Sequence, residues 1–401
     1  MKVKRIVLLL VSSLLLSCSN KTNYEIINHY TPGYMNNGEY LEPLDTIVSL
    51  KMFNKEEYEA TYNEFDNIVQ TLSKECDAYH DYQNINNIKT INDSYGTNKY
   101  IQISDNLFDL LKLGVKLTKI TKGTFNIAMG SLIDMYENYY DGVVHKLPDL
   151  SLVLSSIPSY EDIENIIDFD ENTKSVKLNV VENLDAKIKL NLGAIAKGYV
   201  IDKAIEFLKN KNYPAIVNAG TSTIATLNTN PNPERNSWAI GISLPTIYSE
   251  DNFTNIFLNG EYHFSTSAIN QQYFILPVAE GYEIKSHILD SNKGTSNNYH
   301  SSITLLDKTC SLAILDALST AMFNIENISE MNNLITAINS EYNCNINYII
   351  LDSINKKVDK IENLSTIDYF DAIVSDSLKE AIGTNYSSKV RNIKSVSELN
   401  Y

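Results

Sequence analysis

The sequence predicts an α+β fold, and three observations lead there. Strand-like alternation ("DTIVSLKMF", "WAIGISL") and helix-like periodicity (residues 56–79, 105–122 and 311–323) recur along the whole chain. The two patterns mix without a regular strand–helix rhythm, so a doubly wound parallel sheet is not expected. No G-x-G-x-x-G fingerprint is present, which also counts against a Rossmann dinucleotide site. With 401 residues, 43% hydrophobic and 20% charged, the chain has material for a substantial core.

At the N-terminus, "MKVKR" is a basic stretch followed by the apolar run "IVLLLVSSLLL". That run falls short of the ~20 residues a membrane span needs and suits a signal peptide over residues 1–17. "LLSC" resembles a bacterial lipobox whose Cys18 is diacylated after cleavage, which implies a lipid-anchored protein on the extracytoplasmic face of the cell membrane. Residues 18–43, with "TPGYMNNGEY", read as a turn-rich tether. Residues 44–376 form the main domain, and residues 377–401 are expected to be a polar, poorly ordered tail. The net charge of −16 makes nucleic acid a poor partner. Cys76, Cys310 and Cys344 remain in the mature chain, an odd number with no CxxC, and read as buried free thiols.

Along the domain, "DTIVSLKMF" is the first strand, residues 56–79 a helix, and residues 105–122 a second helix capped by Ser104 or Asp105. Residues 141–161 are loop-like, with Pro148 and Pro158, and a hairpin turns at Glu171-Asn172. "IKLNLGAIAKGYVIDKAIEFLKNKNYPAIVNAG" reads as strand, small-residue turn, helix and strand. "GEYHFSTSA", "QQYFIL", "HSSITLLD" and "NINYIILD" add strands around the helix "SLAILDALSTAMF".

Chemistry concentrates in four stretches. Asp316 and Thr320 are four residues apart, so both face one side of the last helix. Taken alone, that spacing equally describes a capping or surface pair. "LNLGAIAKGY" offers Gly193, Ala194, Ala196 and Gly198 for close backbone approach, with Lys197 placed to meet phosphates. Tight packing on a sheet explains the same small residues. In "SHILDSNKG", His287 and Asp290 read as a base with a nearby carboxylate, or as a structural histidine. The hydroxyls of Ser265, Thr266 and Ser267 in "HFSTSA" either bind phosphate or simply sit in a strand.

In order, "LDT", "DAY", "GTFNIAMGSL", "NLGAIAKGYVID", "NAG", "STSA", "HILDSNKG" and "LDALSTAMF" resemble the motif series of the ApbE family of FAD:protein FMN transferases, from Leu44 to Ile325. The resemblance implies an ApbE-like, T-fold-related architecture of mixed sheets with packed helices and FAD in a central cleft. It implies Mg²⁺ held by Asp316, Thr320 and the Ala194 carbonyl, with Ser319 beside them. Oxygen-only ligands with few carboxylates suit that ion. It places FAD against Leu44, Tyr79, Thr124, Phe125, Asn126, Asn191, Lys197 and Leu289, and makes His287 the base for the acceptor hydroxyl. FMN would pass from FAD to a Ser or Thr of an acceptor flavoprotein, with AMP leaving. Asn126 and Asn191 replace family aspartates, Ser291 and Lys293 replace the Pro and Thr of "HIiDPxTG", and Ala268 replaces a glycine. A non-catalytic flavin-binding lipoprotein, an Mg²⁺-dependent FAD pyrophosphatase and a surface adhesin are the alternatives.

Overall fold

One nine-stranded sheet organises the molecule, and its spatial order follows the chain order. The computed structural model describes residues 26–53, 58–181, 187–232, 235–247, 250–354, 357–361, 363 and 369–399. The signal peptide and Cys18 lie outside the described residues. The strands are β1 (Ile26–Tyr30), β2 (Val48–Phe53), β3 (Ala215–Ala219), β4 (Thr223–Leu227), β5 (Tyr262–Ala268), β6 (Ser302–Asp307), β7 (Asn347–Ser353), β8 (Phe370–Val374) and β9 (Val390–Ser395). Each pairs antiparallel with the next, except the final parallel pair β8–β9.

Both faces of the sheet are covered, which is why all six residues of β6 are buried. On one face, Val48, Leu50, Met52, Val217, Ile303 and Leu305 join the main core. Helices α1 (Tyr58–Cys76), α2 (Asp105–Ile120), α3 (Ala196–Lys211), α4 (Leu312–Phe323) and α5 (Ile328–Tyr342) contribute their apolar sides to it. On the other face, Phe264, Leu306, Ile349, Leu351 and Phe370 pack under the hairpin Trp238–Ser243/Asn252–Leu258 and a short helix, Asp376–Ile382.

Several expectations need correction. The described part of the expected tether, residues 26–43, supplies β1 on the sheet edge and a small hairpin, Tyr34–Asn36 with Glu39–Leu41. The expected polar tail supplies β9, an edge strand with Val390 and Ser395 buried at its two ends and Ile393 half-buried between them. The first helix ends at Cys76, before the expected residue 79, and Ser104 caps α2 by accepting from the Leu107 N–H at 3.1 Å. The loop 141–161 contains a helix, Leu150–Ser155, capped by Asp149.

Among the described residues, the stretch 187–192 that leads into the small-residue turn forms no strand. Ile188, Leu190 and Leu192 are buried in alternation, as a strand would be. Their backbone, however, is satisfied by the Asn92 side chain (Leu190 N–H to Oδ1 2.7 Å, Nδ2 to Leu190 O 2.9 Å) and by loop carbonyls such as Ile127 O, instead of by a ladder.

Candidate active site

Residues Leu312 to Ser319 of α4 are all buried, so Asp316 is a carboxylate inside the core and not a surface cap. Its Oδ2 accepts the Gly198 backbone N–H at 2.5 Å, and its Oδ1 accepts the Thr223 hydroxyl at 3.1 Å. Burial pushes the carboxyl up to about 6, against the opposing pull of Lys197, Ser265, Gly198 and Thr223. The Ser319 hydroxyl donates to the Asp316 carbonyl at 3.0 Å and sits 2.8 Å from Ser267 and 3.2 Å from Ser265. Those two serines therefore face the helix, while Thr266 pairs with Thr304. Thr320 is half-buried one turn further on.

Helix α3 fixes this helix from the side. Gly198 is so close to it that a Cβ would lie 2.2 Å from the Leu312 carbonyl oxygen. One turn along α3, Asp202 accepts from the Ser311 hydroxyl (2.6 Å), the Leu312 N–H (2.9 Å) and the Ala313 N–H (3.0 Å). These N–H groups have no partner within their own helix, so a carboxylate from a neighbouring helix replaces the local cap. Thr223 and Asp202 were missed from the sequence, and the close backbone approach read at Gly198 is made by a helix. The signal was there, since Gly198 and Asp202 stand inside "AKGYVID" on one side of α3.

A cleft with a cavity volume of about 120 Å³, open to solvent, lies beside the start of α3. Its lining includes Leu44, Tyr79, Asn191 and Lys197, together with Tyr34, Asp45 and Asp77. Leu44 holds φ at 57°, a left-handed conformation that a leucine rarely adopts. Asn191 accepts the Gly193 N–H (2.8 Å) and donates to the Tyr79 hydroxyl oxygen (3.3 Å). With that oxygen accepting, the Tyr79 O–H is left to donate elsewhere, and burial holds the phenol up at about 12. Ala194 is half-buried in the same turn. The charge of Lys197 acts on Asp45, on Asp316 and on His287, so one cation at the cleft influences both the buried carboxylate and the imidazole.

His287 is partly buried, with Nδ1 3.3 Å from the Gln272 carbonyl. A carbonyl only accepts, so Nδ1 carries the hydrogen and Nε2 keeps its lone pair. Burial, then Lys197, lowers the imidazole to about 4 and keeps it neutral at pH 7. Asp290 is not hydrogen-bonded to it, contrary to one sequence reading. That carboxylate accepts from Asn297 Nδ2 and the Asn292 N–H, both at 2.9 Å.

Thr124, Phe125, Asn126 and Leu289 gather elsewhere, at the far end of α4. Asn324 Nδ2 donates to the Thr124 and Leu289 carbonyls, each at 3.1 Å. Phe125 and Leu289 are each 2% exposed, so their side chains belong to the packing and not to the cleft wall. Asn126 accepts the Ala128 N–H (2.8 Å) and donates to the Ser291 hydroxyl (3.3 Å), which in turn donates to the Gly123 carbonyl (2.8 Å). The departures at 126 and 291 thus face each other, and an aspartate with a proline could not make this bond.

Among the described residues no three His, Cys, Asp or Glu side chains converge. A cation here would rest on the single carboxylate of Asp316 with neutral oxygens from Thr320, Ser319 and the Ala194 carbonyl. That donor set fits a hard ion such as Mg²⁺, and each Asp316 carboxylate oxygen has two lone pairs, of which Gly198 and Thr223 take one apiece.

A sequence profile described as the ApbE family matches residues 44–344. An FAD:protein FMN transferase of Klebsiella pneumoniae is 26% identical over 195 residues, 48% of this chain, and the chain spans about half (54%) of that relative's length. An enzyme of the same name from Haemophilus influenzae is 23% identical over 80% of this chain and 87% of its own. The solved structure of the flavin transferase ApbE from Vibrio cholerae superposes with a TM-score of 0.63 at 17% identity, covering 89% of this chain and 99% of that one. With the match spanning most of its length and the fold shared, the chain belongs to the ApbE family.

Proposed function

We propose that the protein is an FAD:protein FMN transferase, moving FMN from FAD to a Ser or Thr hydroxyl of an acceptor flavoprotein and releasing AMP. One observation carries this reading: Lys197 lines the cleft while its charge reaches both Asp316 and His287. Leu44 and Tyr79 offer packing surface for a flavin, and Lys197 meets the pyrophosphate. Asp316, Thr320, Ser319 and the Ala194 carbonyl would hold Mg²⁺, which when bound neutralises charge on the pyrophosphate as a P–O bond breaks. His287, neutral and with Nε2 free, takes the proton of the acceptor hydroxyl. Export and lipid anchoring through Cys18 belong to the same reading, since the names of the relatives do not supply them.

The test mixes the purified protein with FAD, Mg²⁺ and an acceptor flavoprotein domain. Fluorescence of the acceptor band in a denaturing gel supports transfer. Free FMN and AMP with an unlabelled acceptor would instead identify a pyrophosphatase, and bound but intact FAD a binding protein.

A further inference from the structure

Two of the three cysteines expected to be inert meet in the folded chain. Cys310, 1% exposed, lies just before α4, and the half-buried Cys344 lies just after α5. Each thiol acts on the titration of the other, and the Cys344 thiol donates to the Tyr342 carbonyl at 3.7 Å. The backbone holds them there independently. Asp307 accepts the Cys310 N–H with Oδ1 (2.6 Å) and the Asn345 N–H with Oδ2 (2.8 Å), so a single carboxylate clamps both segments. The Cys310 carbonyl accepts from His263 Nδ1 at 2.7 Å, and the Cys344 N–H donates to Asn339 O at 3.1 Å. Neither thiol belongs to the flavin cleft.

We infer that Cys310 and Cys344 form a reversible disulfide, a modification site that closes the segment bearing α4 and α5 into a covalent loop. The two thiols are poised differently. Cys344 is the more exposed and has its thiol lowered by its Cys310 neighbour, whereas Cys344 and burial push Cys310 up. Cys344 is therefore the attacking sulfur. Its thiolate displaces one thiolate from a small-molecule disulfide such as oxidised glutathione, giving a mixed disulfide on Cys344. Cys310 then loses its proton to solvent and attacks the Cys344 sulfur, expelling the second glutathione thiolate. Two protein thiols are oxidised, and one glutathione disulfide is reduced to two thiols. The bond would brace the entry to the helix that carries Asp316 and restrict the unfolded chain.

The full chain, reduced and then incubated with oxidised glutathione, provides the test. Peptide mapping without reduction should find Cys310 joined to Cys344, with a mass lower by two hydrogens and Cys76 still alkylatable. The melting temperature should rise by a few degrees and return on reduction. Cys344→Ser, at the more exposed position, should remain folded and show neither the crosslink nor the shift. Free Cys310 and Cys344 after oxidation would overturn the proposal, as would pairing of either with Cys76 or Cys18.

Discussion

Gly198 donates its backbone N–H to Asp316 across the contact between α3 and α4, at 2.5 Å. The carboxylate expected to serve a metal is thus also part of how two helices dock.

Asp316 therefore needs a gentler substitution than alanine. Asp316→Asn can accept from Gly198 with its oxygen and donate to Thr223, keeping both contacts. It should melt no lower than wild type at neutral pH, because burial already disfavours the charged form. Flavin transfer should nevertheless fall at least about 10²-fold, the scale on which charge stabilisation at a reacting centre operates. Asp316→Ala should lose roughly 1–3 kcal/mol by leaving the Gly198 N–H unpaired. Full transfer by the asparagine variant would remove the carboxylate from the mechanism.

Gly198→Ala tests the docking itself. Its Cβ would meet the Leu312 backbone at 2.2 Å, and backbone cannot swing away as a side chain can. The helices must separate, so destabilisation of about 1–3 kcal/mol is expected by thermal or denaturant unfolding, with transfer reduced in parallel. A variant as stable as wild type would refute the close packing.

Asp202→Ala removes three acceptor contacts from the start of α4. Loss of a cap costs about 1–2 kcal/mol, and the damage should concentrate at Ser311–Ala313. Hydrogen exchange should show faster exchange at the Leu312 and Ala313 amides, while unchanged protection there would contradict the assignment.

For His287, the lowered imidazole sets both an activity profile and a stability profile. Neutral imidazole is the form that accepts a proton, so at saturating FAD and Mg²⁺ the base should stay competent well below pH 6.5 and fail only toward pH 4. His287→Ala should slow transfer by about 10²–10⁴ with little change in FAD affinity. Between 6.5 and about 4 the unfolded chain binds the extra proton and the folded one does not, so this residue makes stability fall as pH falls. His287→Gln should narrow the acid-induced loss relative to wild type. Equal pH dependence in both proteins would show that the ring is not held neutral by the fold.

Cys18→Ser should move the protein from the membrane fraction to the soluble extracytoplasmic fraction, because acyl chains alone would hold it. Retention in the membrane would require another anchor.

Much of the site was legible where chemistry is local in sequence. The period of α4 and the spacing of Asp316 and Thr320 could be read directly, as could the capping by Ser104. What lay hidden depends on partners distant in sequence. Asp202 caps a helix more than a hundred residues away, and Asn92 replaces a strand partner for Leu190. Polar composition misled at both ends of the chain, because edge strands such as Val390–Ser395 need few apolar residues to complete a ladder. Phe125 and Leu289, expected against the flavin, are almost fully buried, and a motif does not distinguish packing from contact.

The order of strands in the central sheet also governs when the cleft comes into being. Between β2 and β3, Val48 pairs with Ala219 and Met52 with Ala215, by far the most distant pairing in sequence between neighbouring strands of this sheet. Such a distant closure is the slow event in assembling a sheet. Leu44 stands just before β2, whereas Asn191 and Lys197 arrive shortly before β3, so the two walls of the cleft belong to opposite ends of that long detour. The cleft is therefore complete only once the detour has closed, and any ligand gripped by both walls would read out the completion of folding.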